Sequence, residues 1–129
     1  MKTLIVEDDF TSRMILNEIL QAYGTCHIAI NGREAVDAAR SALDADEPYD
    51  LICMDIMMPE MDGQDALRLI RADEADKNGP AANGARVIMI TALNEIKQVT
   101  QAFHSLCDRY LTKPIDQQKL LEAIKDLGL

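Results

Sequence analysis

Five short apolar runs punctuate the chain, and an apolar stripe at helical spacing follows each one. The first run, Leu4-Ile5-Val6, predicts a strand from about Thr3 to Val6. Behind it Ile15, Ile19 and Ala22, flanked by Leu16 and Leu20, recur at i, i+4 and predict a helix. Gly24 is placed to end that helix. A short second strand is predicted near Cys26 to Ile30. Asn31-Gly32 then turns the chain into a helix with Ala35, Val36, Ala39 and Leu43 on one face, and Pro48 closes that region. The third strand is Leu51 to Met54, and Asp62-Gly63 opens a helix carrying Ala66, Leu67 and Ile70. The stretch 73–85 holds Asn78-Gly79-Pro80 and Asn83-Gly84, which are strong turn signals. It is expected to be an exposed loop whose start can extend the preceding helix. A fourth strand, Val87 to Ile90, precedes a helix with Val99, Phe103 and Leu106; a fifth, Asp108 to Leu111, precedes a last helix with Leu120, Leu121, Ile124 and Leu127.

Strands alternating with helices imply a parallel sheet covered on both faces, and right-handed crossovers leave few ways to wind it. Five such units fit an α/β fold with a doubly wound five-stranded parallel sheet of order 2-1-3-4-5, the flavodoxin-like (βα)5 arrangement. Strands one and three are then neighbours at the switch point. Ligands of such sheets bind at the carboxyl ends of the strands, so the residues that follow each run matter most. They are Glu7 and Asp8, Asp55, Thr91, and Lys113 before Pro114.

Three carboxylates about 5 Å apart repel by roughly 3 kcal/mol per pair at an effective dielectric of ~20. Burial raises the pKa of at least one of them. A hard divalent cation relieves this, and Mg²⁺ favours one or two carboxylates, waters and phosphate oxygens. An aspartate can act as nucleophile in phosphoryl transfer. Asp55, between the acid pair and the strand bearing Thr91, is the expected nucleophile; Lys113 is the expected cation for a phosphoryl oxygen, and Thr91 a hydroxyl donor to another.

The 129 residues suit one domain. A net charge of −9 with no basic block argues against nucleic-acid binding. No apolar run approaches the ~20 residues of a membrane span, and no export signal is legible, so the expected location is cytoplasmic. Cys26, Cys53 and Cys107 lack metal-ligand spacing and are read as reduced packing residues. The seven methionines are read as gap-fillers.

The segments Leu4-Ile-Val-Glu-Asp-Asp9, Met54-Asp-Ile-Met-Met-Pro-Glu-Met-Asp-Gly63, Met89-Ile-Thr-Ala92 and Tyr110-Leu-Thr-Lys-Pro114 closely resemble, in order, the motifs of the receiver domain of bacterial two-component response regulators, chemotaxis regulators included. The likeness covers nearly the whole chain, so the expectation for residues 1–129 is a stand-alone receiver with no output domain. Part of the topology expectation comes from this resemblance. It implies that a sensor histidine kinase or a His-containing phosphotransfer protein donates a phosphoryl group to Asp55. Asp8 and Asp55 would hold Mg²⁺ directly, Glu7 through water, and the backbone carbonyl of Met57 would complete the protein's share. Met57, Thr91, Ala92 and Lys113 would bind the phosphoryl group. Thr91 and Tyr110 would act as switch residues, reshaping the face of the fourth helix, fifth strand and fifth helix toward a downstream protein or a second copy of the chain. Moving a population from 1:99 to 99:1 takes about 5.5 kcal/mol, much of which two or three charge-assisted hydrogen bonds can supply. Met57 and Leu93 stand where the family tunes water access; both are apolar, which implies slow self-dephosphorylation.

Plainer readings attach to other residues. Asp62 is expected as a helix N-cap and Asp9 as a solvated neighbour. His27 and His104 are expected to be ordinary surface or half-buried residues, although His104 and Lys97 could line the output face. Three further functions fit parts of the pattern: a phosphorelay intermediate passing the group onward, an aspartyl-nucleophile phosphohydrolase, and a flavin-binding domain. The hydrolase needs a second acid and a substrate cap, yet Pro59 rather than an acid stands shortly after Asp55. The flavin domain needs a phosphate-cradling loop after the first strand, which is missing.

Overall fold

The computed structural model describes residues 1–79, 84–96 and 106–129. Its strands are β1 (Thr3–Val6), β2 (Cys26–Ala29), β3 (Leu51–Met54), β4 (Arg86–Thr91) and β5 (Arg109–Thr112). Its helices are α1 (Phe10–Leu20), α2 (Gly32–Asp44), α3 (Gly63–Asn78), α4 (Leu93–Ile96 as described) and α5 (Gln117–Asp126). The five strands form one sheet in the order β2-β1-β3-β4-β5, every pairing parallel. This is the winding expected from the alternation of runs and stripes. Val99, Phe103, His104 and Lys97 lie outside the described residues.

The runs are uninterrupted because the sheet is covered on both faces. Leu4, Val6, Ile52, Met54, Val87 and Met89 pack against Ala35, Val36 and Ala39 of α2 and Ala66, Leu67 and Ile70 of α3. Ile5, Leu51, Cys53, Ile88 and Ile90 face the other way, onto Leu16 and Leu20 of α1 and Leu120, Ala123 and Ile124 of α5. The two faces alternate residue by residue along each strand, as the period of two requires. Burial pushes all three thiols upward, Cys53 to about 12, away from the thiolate form that reactive cysteines need.

Four helices open on a side-chain cap. Asp9 accepts from the Ser12 N–H, Asn31 from Glu34, Asp62 from Asp65 and Asp116 from Lys119. Asp62 is thus the cap the sequence suggested. Asp9, expected only as a solvated neighbour, has the same role, and the Ser12 N–H draws its pKa down. The helix of α1 stops at Leu20, and a 3₁₀ turn, Gln21–Tyr23, carries the chain to Gly24.

The start of the stretch 73–85 extends the preceding helix as expected, with α3 running to Asn78, but it is not all exposed. Glu74 is buried, where it accepts from Arg71 Nη1 at 2.7 Å and from the Ala85 N–H at 2.8 Å. Arg71 also approaches Asp108 at 3.6 Å, and Asp108 accepts from the Val87 N–H at 2.7 Å. A carboxylate therefore fastens the end of α3 to the start of β4, at the sheet edge opposite the acids. Gly84 leaves room for it, since a Cβ there would meet the Glu74 carboxylate at 2.1 Å. His27 is exposed, and its Nδ1 lies 2.7 Å from the Tyr49 hydroxyl.

Candidate functional site

The parallel ladder extends one residue beyond β1 and β3. Glu7 N–H donates to Ala29 O at 3.0 Å and Asp55 N–H to Val6 O at 3.0 Å. Two adjacent strands thus hand two carboxylates to the same edge. Glu7 is fully buried, Asp55 is 5% exposed and Asp8 is exposed. Ligand oxygens of Glu7, Asp8 and Asp55 all lie within 4.8 Å of one another.

Lys113 reaches this cluster from the end of β5. Its Nζ donates to Asp55 Oδ2 at 2.8 Å and to Glu7 Oε1 at 3.1 Å. Its backbone N–H donates to Thr91 O at 2.8 Å, which ties the lysine to the end of β4. The Lys113-Pro114 peptide is cis. Burial pulls the Lys113 amine down, but the bonds and charge of Asp55 and then Glu7 outweigh it, so the net shift is upward. Glu7 moves far the other way for an acid. Burial first and the Asp55 charge second push it up to about 7, against the opposing pull of the Asp9 N–H and Lys113.

Glu7 Oε1 accepts from both Lys113 and the Asp9 N–H, while Glu7 Oε2 is buried with no hydrogen-bond partner among the described residues. A buried carboxylate oxygen left so costs roughly 1–3 kcal/mol. One orphaned oxygen, beside Asp55 and under an exposed Asp8, fits a hard cation that takes oxygen ligands and keeps waters.

The loop after Asp55 is pinned on two sides. Gly63 N–H donates to Ile56 O at 2.7 Å, and a Cβ on Gly63 would sit 2.3 Å from Asp55 O. Only glycine lets α3 begin so near the acid. Gly32 N–H donates to Met61 O at 3.1 Å, fixing the loop to α2. Met57 N–H donates to Asp55 Oδ1 at 3.3 Å, and the Met57 side chain is 48% exposed.

Thr91 is fully buried at the end of β4. Its hydroxyl donates to Glu95 Oε2, and the Ala92 N–H donates to the same oxygen at 3.3 Å. Tyr110 is half-buried against the core face that holds Met89, and its phenol is shifted upward by burial first and then by Cys107. The structure therefore brings Glu7, Asp8, Asp55 and Lys113 into one cluster, joins Thr91 to it through the Lys113 backbone, and leaves Tyr110 on β5 opposite Met89, two positions before the Thr91–Thr112 pair.

Two participants escaped the sequence reading. Arg13 Nη1 donates to Glu7 O at 3.1 Å and to Asp8 O at 3.5 Å, so it steadies the acid pair from α1. Glu95 is the other. Its signal was present as an acid three residues after Ala92, the spacing at which a helix's third residue reaches back to the N-cap amide.

The model of the family described as "Response regulator receiver domain" matches residues 3–125. Chemotaxis protein CheY of Bacillus subtilis is 34% identical over 128 residues, covering 95% of this chain and 93% of that protein. Hybrid signal transduction histidine kinase G of Dictyostelium discoideum is 37% identical over 131 residues, 99% of this chain but 4% of that protein. The chain spans between 4% and 15% of the length of the curated histidine kinases it matches. Among solved structures, a CheX-CheY-BeF3-Mg complex from Borrelia burgdorferi superposes with a TM-score of 0.78 at 30% identity, over 100% of this chain and 90% of that one. No helix of the described residues is long and apolar enough to cross a membrane.

Proposed function

Since this chain belongs to the response regulator receiver domain family, we propose that Asp55 is its phosphoacceptor and that Glu7, Asp8, Asp55 and the Met57 carbonyl hold Mg²⁺. The observation that carries the reading is the contact of one amine, Lys113 Nζ, with both Asp55 and Glu7, next to a buried Glu7 oxygen with no partner. A lysine so placed is a fixed positive charge for the oxygens of an incoming phosphoryl group.

The phosphodonor is a phosphohistidine on a sensor histidine kinase or a His-containing phosphotransfer protein. An Asp55 carboxylate oxygen attacks phosphorus, the P–N bond breaks, and the released imidazole takes a proton from solvent. An acyl phosphate remains on Asp55. Bound Mg²⁺ supplies charge neutralisation for the transferring group. Lys113 leaves Asp55 for the phosphoryl oxygens without leaving the site, because its backbone is held by Thr91 O. Thr91 and the Ala92 N–H bind the remaining oxygens. The released face of α4, β5 and α5, with Tyr110 on it, then engages a downstream protein or a second copy of the chain. Phosphorylation is thus a local charge event that biases a two-state element.

Intact mass after incubation with acetyl phosphate and Mg²⁺ tests this. Wild type gains one phosphoryl group and Asp55→Asn gains none. A second modified site, or equal gain in the variant, contradicts the assignment.

A further inference from the structure

In the unphosphorylated protein two of the donors assigned to the phosphoryl group, the Thr91 hydroxyl and the Ala92 N–H, are engaged by one atom. Glu95 Oε2 accepts from the Thr91 hydroxyl and from the Ala92 N–H. Thr91 is fully buried, so its hydroxyl depends on an internal acceptor. Glu95 itself belongs to α4, where its own N–H donates to Ala92 O at 3.0 Å. Its carboxylate thus bends back over the two residues that link the catalytic strand to that helix.

We propose that Glu95 is a positioning residue, an internal anion that occupies the phosphoryl-binding donors until a phosphoryl group displaces it. The proposal rests on the phosphoacceptor reading above. A carboxylate and a phosphoryl group compete for the same two hydrogens, and both carry negative charge, so they exclude one another. Displacement frees the Thr91 hydroxyl and the Ala92 N–H together. It also removes a side-chain tie between the first turn of α4 and the end of β4. The phosphorylation signal then enters α4 by expulsion of a carboxylate as well as by movement of Thr91.

Helix capping alone is the plainer account. A glutamate at the third helical position often accepts from the N-cap amide, and the Ala92 bond has that form. The Thr91 bond does not, since it holds a side-chain hydroxyl at the end of β4. The two accounts predict opposite signs. If Glu95 only caps α4, its loss weakens the folded site and binding of a phosphoryl mimic falls or stays level. If Glu95 competes, its loss strengthens that binding.

The experiment is titration of beryllofluoride, at saturating Mg²⁺, into wild type, Glu95→Ala, Glu95→Gln and Asp55→Asn, with amide spectra recorded before ligand. Loss of competition from a charged acceptor is expected to tighten binding about tenfold in Glu95→Ala, which corresponds to about 1.4 kcal/mol. Glu95→Gln keeps the shape without the charge and is expected to show a smaller gain. The Thr91 and Ala92 resonances of both variants are expected to start nearer their ligand-bound positions. If Glu95→Ala unfolds, Glu95→Gln decides. Binding by wild type with no gain in either folded variant overturns the competitor role alone. Absence of binding by wild type, matching Asp55→Asn, overturns the phosphoacceptor reading and this role with it.

Discussion

Lys113 Nζ stands 2.8 Å from Asp55 Oδ2, and the same amine is 3.1 Å from Glu7 Oε1. It holds two buried acids together across strands that contribute no other cation to them. Lys113→Ala removes that charge and leaves the two carboxylates facing each other. Breaking a buried pair costs about 3–5 kcal/mol. The lysine side chain is 25% exposed, so screening reduces the expected loss to about 1–3 kcal/mol. Mg²⁺ is expected to raise the stability of Lys113→Ala more than that of wild type. Urea melts with and without Mg²⁺ check this; equal Mg²⁺ effects in the two proteins contradict it.

Glu7 sets a pH dependence. Its pKa rises from an ordinary 4.5 to about 7 in the folded chain. Between those values the folded state holds more protons than the unfolded one, so its stability declines as pH rises and levels off above pH 7. Mg²⁺ affinity runs the other way, because the cation competes with the proton. It is expected to strengthen through pH 6 to 8 and to lose that slope in Glu7→Gln. Calorimetric titration of Mg²⁺ at several pH values measures both behaviours.

Glu74→Ala isolates the far edge of the sheet. It strips the Ala85 N–H of its acceptor in a buried setting and leaves Arg71 with Leu106 O and Asp108 alone. The expected loss is about 2–4 kcal/mol, with beryllofluoride affinity in the folded protein unchanged. A chemical melt reads the first and a binding titration the second. Loss of affinity as large as the loss of stability would mean that this edge is coupled to the site.

Met57 bears on the lifetime of the phosphorylated form. Its N–H is bound to Asp55 and its side chain is apolar and half exposed. A chain without a polar group there to orient water is expected to keep its phosphoryl group well beyond seconds, and Met57→Asn to shorten that time several-fold. Mass spectrometry after removal of the phosphodonor follows the decay; decay of wild type within seconds contradicts the expectation.

The sheet and the acid cluster were legible because each rests on a local signal. Uninterrupted apolar runs specify doubly covered strands, and the residues that follow them fall at the ligand edge, which together with the receiver-domain resemblance pointed to Glu7, Asp55 and Lys113. Strand ends shifted by a residue: β4 includes Thr91 and β5 begins at Arg109. Glu74 was not legible, since a charged residue in a Gly- and Asn-rich stretch looks solvated until Arg71 and the Ala85 N–H arrive from elsewhere. Glu95 was hidden for a related reason. Its acceptor role depends on how sharply the chain turns after β4, which apolar periodicity does not encode. Asp9 is exposed and outside the acid cluster, as expected, but its capping of α1 was not legible, because three adjacent acids look alike until one is seen to accept from the Ser12 N–H.

Lys113 and Glu7 are 106 residues apart in the chain and share a hydrogen bond. Their meeting requires β1, β3, β4 and β5 to be laid down side by side. No fragment lacking β1 or β5 can bring Lys113 and Glu7 together. Under the phosphoacceptor reading, a chain becomes able to take up a phosphoryl group only once this long-range pairing is complete.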